Sequence, residues 1–78
     1  MLKGSQHRRN EKAITTLANN IKKYRKAKNF TIEELANIIG VDYSQIGRME
    51  RAIVNPNVSI IFDIADALDI KPSQLLEE

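Results

Sequence analysis

Apolar residues recur at helical spacing along most of this chain, and residues 31–51 carry the clearest pattern. We interpret this stretch as two short helices joined by a turn at Gly40, since a residue without a Cβ readily takes the left-handed conformation that ends a helix. Thr31, followed three residues later by Glu34, has the sequence of a capping box. The buried side of the first helix is predicted to consist of Leu35, Ala36, Ile38 and Ile39.

The second helix of this stretch is predicted to begin at Asp42 and to have two chemically different faces. Helical spacing groups an inner face of Ile46, Met49, Glu50 and Ile53. The same spacing groups an outer face of Tyr43, Ser44, Gly47, Arg48 and Arg51. The inner face is expected to pack on the rest of the domain, which leaves the outer face available for a ligand.

Three further helices are predicted around this stretch. The first covers residues 12–28, with Ile14, Leu17, Ala18 and Ile21 on its apolar stripe, and ends near Asn29. A helix over residues 59–68 follows the turn residues 55–57, with Ser59 as its N-cap and Ile61, Ile64, Ala65 and Leu68 directed inward. Pro72 suits the first turn of a short last helix. No segment indicates a strand, so the predicted fold class is all-α, a compact bundle of five short helices.

One charged residue lies on the apolar stripe of the first helix. Arg25 follows Ile21 by four residues, and Glu50 follows Ile46 by the same spacing on the third helix. Because an unpaired buried guanidinium would be very costly, we predict a structural ion pair between Arg25 and Glu50 that orients the two helices.

Composition and charge restrict the architecture. A chain of 78 residues with 42% hydrophobic content can bury one core but not two, so we predict a single domain over residues 12–78 after a basic, flexible arm over residues 1–11. Residues 1–30 contain nine Lys or Arg against one Glu, a net charge of +8, whereas residues 31–78 have a net charge of −6. The basic half suits a polyanion, and a solvated lysine-rich helix explains it equally well.

No pattern in the sequence indicates catalysis or a cofactor. There is no cysteine, the single histidine lies in the arm, and no glycine-rich loop precedes a helix. We therefore expect no enzymatic activity, no cofactor and no metal. No apolar run approaches the roughly 20 residues that a membrane span needs, so we expect a soluble, cytoplasmic protein without a membrane partner.

The outer face of the third helix favours nucleic acid as a ligand. Short hydrogen-bonding side chains crowd the start of this helix, and Arg48 follows one turn later. Such side chains suit the major groove, where base edges display distinguishable donors and acceptors. Arg48 suits either a guanine edge or a phosphate, and Gly47 either permits close approach to another surface or is a tolerated surface glycine.

Residues 17–70 resemble the phage-repressor type of helix-turn-helix, the Cro/cI-like (XRE) family of transcriptional regulators. The resemblance rests on the segments IKKYRKAKNFTIEELANIIGVDYSQIGRMER and NPNVSIIFDIADALDI. It implies a five-helix bundle whose second motif helix enters the major groove of double-stranded DNA. It also implies a buried arginine–glutamate pair, which matches Arg25 and Glu50.

Residue by residue, the resemblance implies which side chains meet DNA. The base-facing positions are Tyr43, Ser44, Gly47 and Arg48. Thr31, Asn57 and Ser59 take positions near backbone phosphates, and Gln45, Arg51 and Asn55 complete our predicted set of phosphate contacts. Three departures from the family pattern stand out. Ile32 replaces a common phosphate-binding glutamine, Ala52 and Asp69 replace glycines that end helices, and Ile53 replaces a basic residue.

Two functional hypotheses follow. The first is a transcriptional regulator that binds a palindromic operator as a homodimer, with two recognition helices roughly 34 Å apart. Its dimer interface would use the surplus apolar residues Ile53, Ile60, Phe62, Leu75 and Leu76. In the alternative interpretation, these residues complete the core. The second is a protein-interaction module: either the DNA-binding part of an antitoxin, whose acidic half would suit a basic toxin, or a bundle that has lost DNA binding and holds a partner such as another regulator.

Overall fold

The computed structural model describes residues 9–78, which form five helices and, within that range, no strand. In chain order these are α1 (Glu11–Ala27), α2 (Ile32–Ile39), α3 (Tyr43–Glu50), α4 (Val58–Leu68) and α5 (Pro72–Leu76). The predicted all-α bundle of five helices is confirmed. The predicted arm falls mostly on residues 1–8, which lie outside the described residues. None of the helices in residues 9–78 has the length and apolarity that crossing a membrane would require.

The start of α1 is fixed by its own side chains and by the end of α3. Asn10 caps the helix, because its side-chain oxygen accepts a hydrogen bond of 2.9 Å from the Ala13 amide. The preceding Arg9 donates hydrogen bonds to the carbonyl oxygens of Ala52 and Ile53, at 3.2 and 2.9 Å. Residues 9–11 of the predicted arm therefore have defined partners, and α1 begins one residue before its predicted boundary.

The core draws side chains from all five helices. It consists of Leu17, Ile21, Leu35, Ala36, Ile46, Met49, Ile60, Ile64, Ala65, Leu68 and Leu75. α1 packs against α3, α4 and α5, while α2 packs between α3 and α4. Because the stripe of each helix has a buried partner, the short helices are stabilised mainly by tertiary packing rather than by their own propensity.

The structure corrects several predictions about which apolar residues face inward. Ile60 and Leu75, predicted to be interface residues, are only 8% and 0% exposed and belong to the core, as the alternative interpretation held. Ile61, predicted to be buried, is only half-buried, since the inward stripe of α4 runs through Ile60, Ile64 and Leu68 at intervals of four. Ile38, predicted to pack in the core, is 54% exposed, and Ile53, predicted to lie on the packed inner face of the third helix, is 52% exposed because it lies beyond the end of α3.

The N-cap of α4 is a further correction. The helix begins at Val58, and Asn57 rather than Ser59 is its cap, with its Oδ1 atom accepting a 2.9 Å hydrogen bond from the Ile60 amide. Both residues have the right chemistry, and the choice depends on where the connection from α3 turns into helical geometry.

The ends of several helices show the strain expected from the absent glycines. Ala52 and Asp69 have positive φ angles of 59° and 60°, as does Asn29 at 62°. A Cβ in this left-handed region costs roughly 1–2 kcal/mol, although Asn and Asp tolerate it better than Ala does. Ala52 and Asp69 therefore adopt the strained conformation that glycine would take more easily. α3 and α4 still end just before these two residues.

Candidate nucleic-acid interface

The predicted ion pair between Arg25 and Glu50 is present and holds α3 against α1. Two parallel hydrogen bonds join the side chains, Nε to Oε2 at 2.6 Å and Nη2 to Oε1 at 3.0 Å, and both residues are buried. The remaining Nη1 of Arg25 donates to the Phe30 carbonyl at 2.7 Å. One guanidinium thus fixes α3 and the connection between α1 and α2, so the outer face of α3 keeps a defined direction.

Contact with Glu50 favours the charged form of the Arg25 guanidinium. The hydrogen bond with Glu50 raises the pKa of Arg25, burial acts in the opposite direction, and the Coulombic attraction of Glu50 adds to the increase. Because the folded-state pKa exceeds the unfolded-state value, the stabilisation is complete below the unfolded-state pKa and is lost only as pH rises through the folded-state pKa. The folded protein therefore holds the Arg25 guanidinium more firmly in its charged form than the unfolded chain does.

The angle between α2 and α3 is set by local sequence signals. Thr31 and Glu34 form the predicted capping box, with hydrogen bonds of 3.0 and 2.8 Å between each side chain and the other residue's amide. Gly40 ends α2 at a φ of 79° and donates a 2.8 Å hydrogen bond to the Ala36 carbonyl. These contacts confirm the predicted turn and place the first turn of α3 at the surface.

The outer face of α3 carries most of the predicted base-facing residues in exposed positions. Tyr43 is 60% exposed, and Ser44 and Arg48 are also exposed. Gly47 differs from the prediction, because it is buried rather than open. The Arg51 side chain covers it, so that a Cβ placed on Gly47 would lie 3.2 Å from Nη1 of Arg51.

The predicted phosphate contacts divide into two groups. Gln45, Asn55 and Asn57 line one cleft of about 160 Å³ between α3 and the connection to α4. Arg51 and Ser59 are exposed outside the lining of that cleft, and Thr31 lies at the start of α2 with its hydroxyl already engaged in the capping box. The structure thus brings three amide side chains together.

One residue that contacts the end of α3 was missed by the sequence interpretation. Arg9 was assigned to the arm, yet it binds carbonyl oxygens at the end of α3 and is held by Glu11 through hydrogen bonds of 2.9 and 3.3 Å. Cationic side chains commonly satisfy carbonyls at helix C-termini. The partners lie more than 40 residues away along the chain, so no local signal identified them.

Comparison with known proteins places this geometry in a family. A model of the helix-turn-helix family HTH_3 matches residues 21–75, from the middle of α1 to α5. The chain belongs to this family. Among its HTH_3 relatives, the uncharacterized HTH-type transcriptional regulator YazB of Bacillus subtilis is 38% identical over 55 residues, covering 70% of this chain and 80% of YazB. The HTH-type transcriptional regulator SinR of B. subtilis is 36% identical over 59 residues, covering 74% of this chain and 53% of SinR.

Solved structures of HTH_3 relatives share the fold. The restriction-modification controller protein C.AhdI from Aeromonas hydrophila superposes with a TM-score of 0.77 at 34% identity, covering 80% of this chain and 94% of that one. A structure of SinR, described as the master regulator for biofilm formation, in complex with DNA superposes with a TM-score of 0.75 at 32% identity. That match covers 78% of this chain and 98% of the SinR chain. The arrangement of α2 and α3 is therefore common to a group that includes a DNA complex.

Proposed function

We propose that this chain is a sequence-specific DNA-binding transcriptional regulator that binds a palindromic operator as a homodimer, with α3 in the major groove. The observation that carries the proposal is the outer face of α3, where Tyr43, Ser44 and Arg48 are exposed on a helix whose inner face is locked. The similarity to the fold of SinR, whose structure was solved in complex with DNA, supports the proposal that α3 faces DNA. The chain acts by binding and has no catalytic role.

The chemistry of this face suits base edges. Tyr43 and Ser44 lie in the first turn of α3, where recognition helices present their N-terminal residues to the groove. Arg48 lies one turn further along and can donate two hydrogen bonds to the O6 and N7 atoms of guanine. In this proposal Tyr43 and Ser44 contact bases near one end of the half-site, and Arg48 contacts bases near the other end.

The flanks of α3 suit the DNA backbone. Gln45, Asn55 and Asn57 direct polar groups around one cleft, and their uncharged amides donate hydrogen bonds to phosphate oxygens without specifying sequence. The side-chain oxygen of Asn57 already accepts the Ile60 amide, which leaves its NH2 group as the donor to DNA. Thr31, Arg51 and Ser59 are the remaining candidates for backbone contact.

Three of the five predicted interface residues remain available for a dimer. Ile53, Phe62 and Leu76 are each more than half exposed, an unusual number for so small a domain. Ile53 and Leu76 both lie beside the start of α1, since Arg9 binds the Ile53 carbonyl and Leu76 lines a cleft with Asn10. We propose that these apolar side chains pair two copies on the operator.

The test begins with selection of bound sites from random double-stranded DNA. Affinity is then measured on the selected palindrome, on a single half-site and on random duplex over a range of salt concentrations. We expect preference for the palindrome, two chains per duplex, and steep weakening with salt, because neutralised phosphates release counterions. Equal affinity for selected and random duplex would refute sequence-specific recognition. Binding of one chain per palindrome would refute the homodimer but not sequence-specific recognition.

A second candidate function, a protein-interaction module, is favoured by a groove between α2 and α4. Ile38, Ile39 and Ala67 form its apolar part, and Asp63 and Asp66 form its acidic part, around a volume of about 410 Å³. Neither helix contains a Lys or Arg. An amphipathic helix with basic residues beside an apolar stripe would complement this groove in charge and polarity.

The second function is tested with a synthetic lysine- and leucine-rich helical peptide as the probe. Binding to the wild type should fall at least tenfold in the double variant Asp63→Asn, Asp66→Asn and also in Ile38→Ser, whereas Arg48→Ala should bind the peptide normally. Equal peptide binding by the wild type and the groove variants would refute the role of the groove.

A further inference from the structure

Gly47 and Arg51 lie one helical turn apart at the end of α3, and they fit together. Side chains on a helix point back toward its N-terminus, so the Arg51 side chain is directed over the preceding turn. Its guanidinium occupies the space beside Gly47, with Nη1 3.2 Å and Cζ 4.0 Å from the position a Cβ would take there. Gly47 is buried for this reason, although it lies on the outer side of α3.

This placement changes what Arg51 can reach. Tyr43, Gly47 and Arg51 follow one another at intervals of four residues, so they form one row along the helix. The Arg51 guanidinium therefore lies on the reading face, nearer the first turn of α3 than its own Cα atom is. The three ion pairs within residues 9–78 involve Arg9, Lys12 and Arg25, so no carboxylate of that range engages Arg51.

We propose that Gly47 and Arg51 form one recognition unit, in which the missing side chain at position 47 seats the Arg51 guanidinium against a base edge, most favourably the O6 and N7 atoms of guanine. The inference rests on the proposed DNA-binding function and deepens it. It moves Arg51 from the predicted phosphate contacts to the residues that determine sequence preference. It also assigns Gly47 to positioning rather than to direct contact with DNA.

A rival explanation makes the glycine a point of close approach between α3 and DNA. Under that explanation, a methyl group at position 47 harms binding whether or not Arg51 is present. Under our inference, a methyl group at position 47 affects DNA binding only by displacing the flexible end of the Arg51 side chain. Gly47 lies in a helix without a positive φ angle, so alanine fits its backbone and favours the helix. Gly47→Ala should therefore fold normally and melt at the same or a higher temperature.

The experiment compares wild type, Arg51→Ala, Arg51→Lys, Gly47→Ala and the double variant Gly47→Ala, Arg51→Ala. Affinity is measured on the selected operator and on duplexes in which each base pair is changed singly. We expect Arg51→Ala to abolish about 10- to 100-fold discrimination at one base pair of each half-site, with smaller loss on random duplex. Arg51→Lys should recover salt-dependent binding but not that discrimination, because lysine lacks the planar fork.

Gly47→Ala should relax preference at the same base pair, and in the Arg51→Ala background it should change nothing further. Equal loss on every sequence after Arg51→Ala would overturn the inference, since that is the behaviour of a phosphate contact. An effect of Gly47→Ala that persists without Arg51 would also overturn it, in favour of close approach. A wild-type chain that selects no motif would overturn the proposed function itself, which distinguishes the two failures.

Discussion

The two faces of α3 differ in almost every physical respect, although they belong to one helix of eight residues. On the inner face, Ile46 and Met49 are buried in the core and Glu50 accepts two hydrogen bonds from Arg25. On the outer face, Tyr43 and Arg48 are exposed, and the helix makes no side-chain capping bond at Asp42. In the proposed function, stability and recognition are therefore carried by separate side chains of α3, so each should change without the other.

The largest expected effect comes from the inner face. Glu50→Ala leaves the buried Arg25 guanidinium without its carboxylate, and we expect a loss of about 3–5 kcal/mol in the free energy of unfolding, measured by urea denaturation. The matched control is Glu11→Ala, which removes the partner of the more exposed Arg9 and should cost less than about 1 kcal/mol. Similar losses in the two variants would contradict the structural importance of the buried pair.

The next effect comes from the outer face and should leave stability almost unchanged. Arg48→Ala should reduce discrimination between operator and mismatched duplex by about 1–3 kcal/mol, because one bidentate base contact is lost. The free energy of unfolding should stay within about 0.5 kcal/mol of the wild type, since the side chain is exposed. If Arg48→Ala weakens binding equally on all sequences, Arg48 contacts phosphate instead.

Asn57 sharpens the comparison because it is proposed to serve both purposes. Asn57→Ala removes the N-cap of α4 and should cost about 1 kcal/mol of stability. Asn57→Asp keeps the capping oxygen and places a negative charge at the helix start, which favours the helix but repels phosphate. We therefore expect Asn57→Asp to have wild-type stability or better and weaker binding to every duplex. Unchanged DNA affinity in Asn57→Asp would leave Asn57 with the capping function alone.

The smallest expected effect lies outside both faces. Asp69 ends α4 with a φ of 60°, and Asp69→Gly should relieve that strain and stabilise the fold by up to about 1 kcal/mol. The greater freedom of glycine in the unfolded chain offsets part of this gain. Thermal unfolding measures the change, and operator affinity should remain that of the wild type. A lower melting temperature would show that the Asp69 side chain stabilises the helix end by more than its strain costs.

The features that could be predicted from sequence have signals within a few residues or a regular period. The capping box of Thr31 and Glu34 and the left-handed turn at Gly40 depend on residues in the same helical turn. The pair of Arg25 and Glu50 spans 25 residues, yet it was predictable because each charge interrupts an otherwise apolar stripe. A buried charge has few permitted partners, which makes such an interruption informative.

The features that could not be predicted depend on how adjacent apolar residues divide between core and surface. Ile60 and Ile61 are equally apolar neighbours, and only the packing of α4 against α1, α2 and α5 buries the first more deeply. Leu35 and Ala36 are buried as predicted, but Ile38, expected beside them for its apolarity, is 54% exposed. The rotation of an eight-residue helix about its own axis is set by the helices that pack against it.

Patterns in the sequence were enough to predict the five helices, the turn between α2 and α3, the buried ion pair and the resemblance to a helix-turn-helix family. Only packing in three dimensions shows that Arg9 binds the end of α3 and that Ile60 and Leu75 complete the core. The two sets of features differ in the range of the interactions that produce them. Helix signals act within a turn and follow the periodicity of the backbone, whereas these contacts depend on side-chain direction and on segments up to about 44 residues apart.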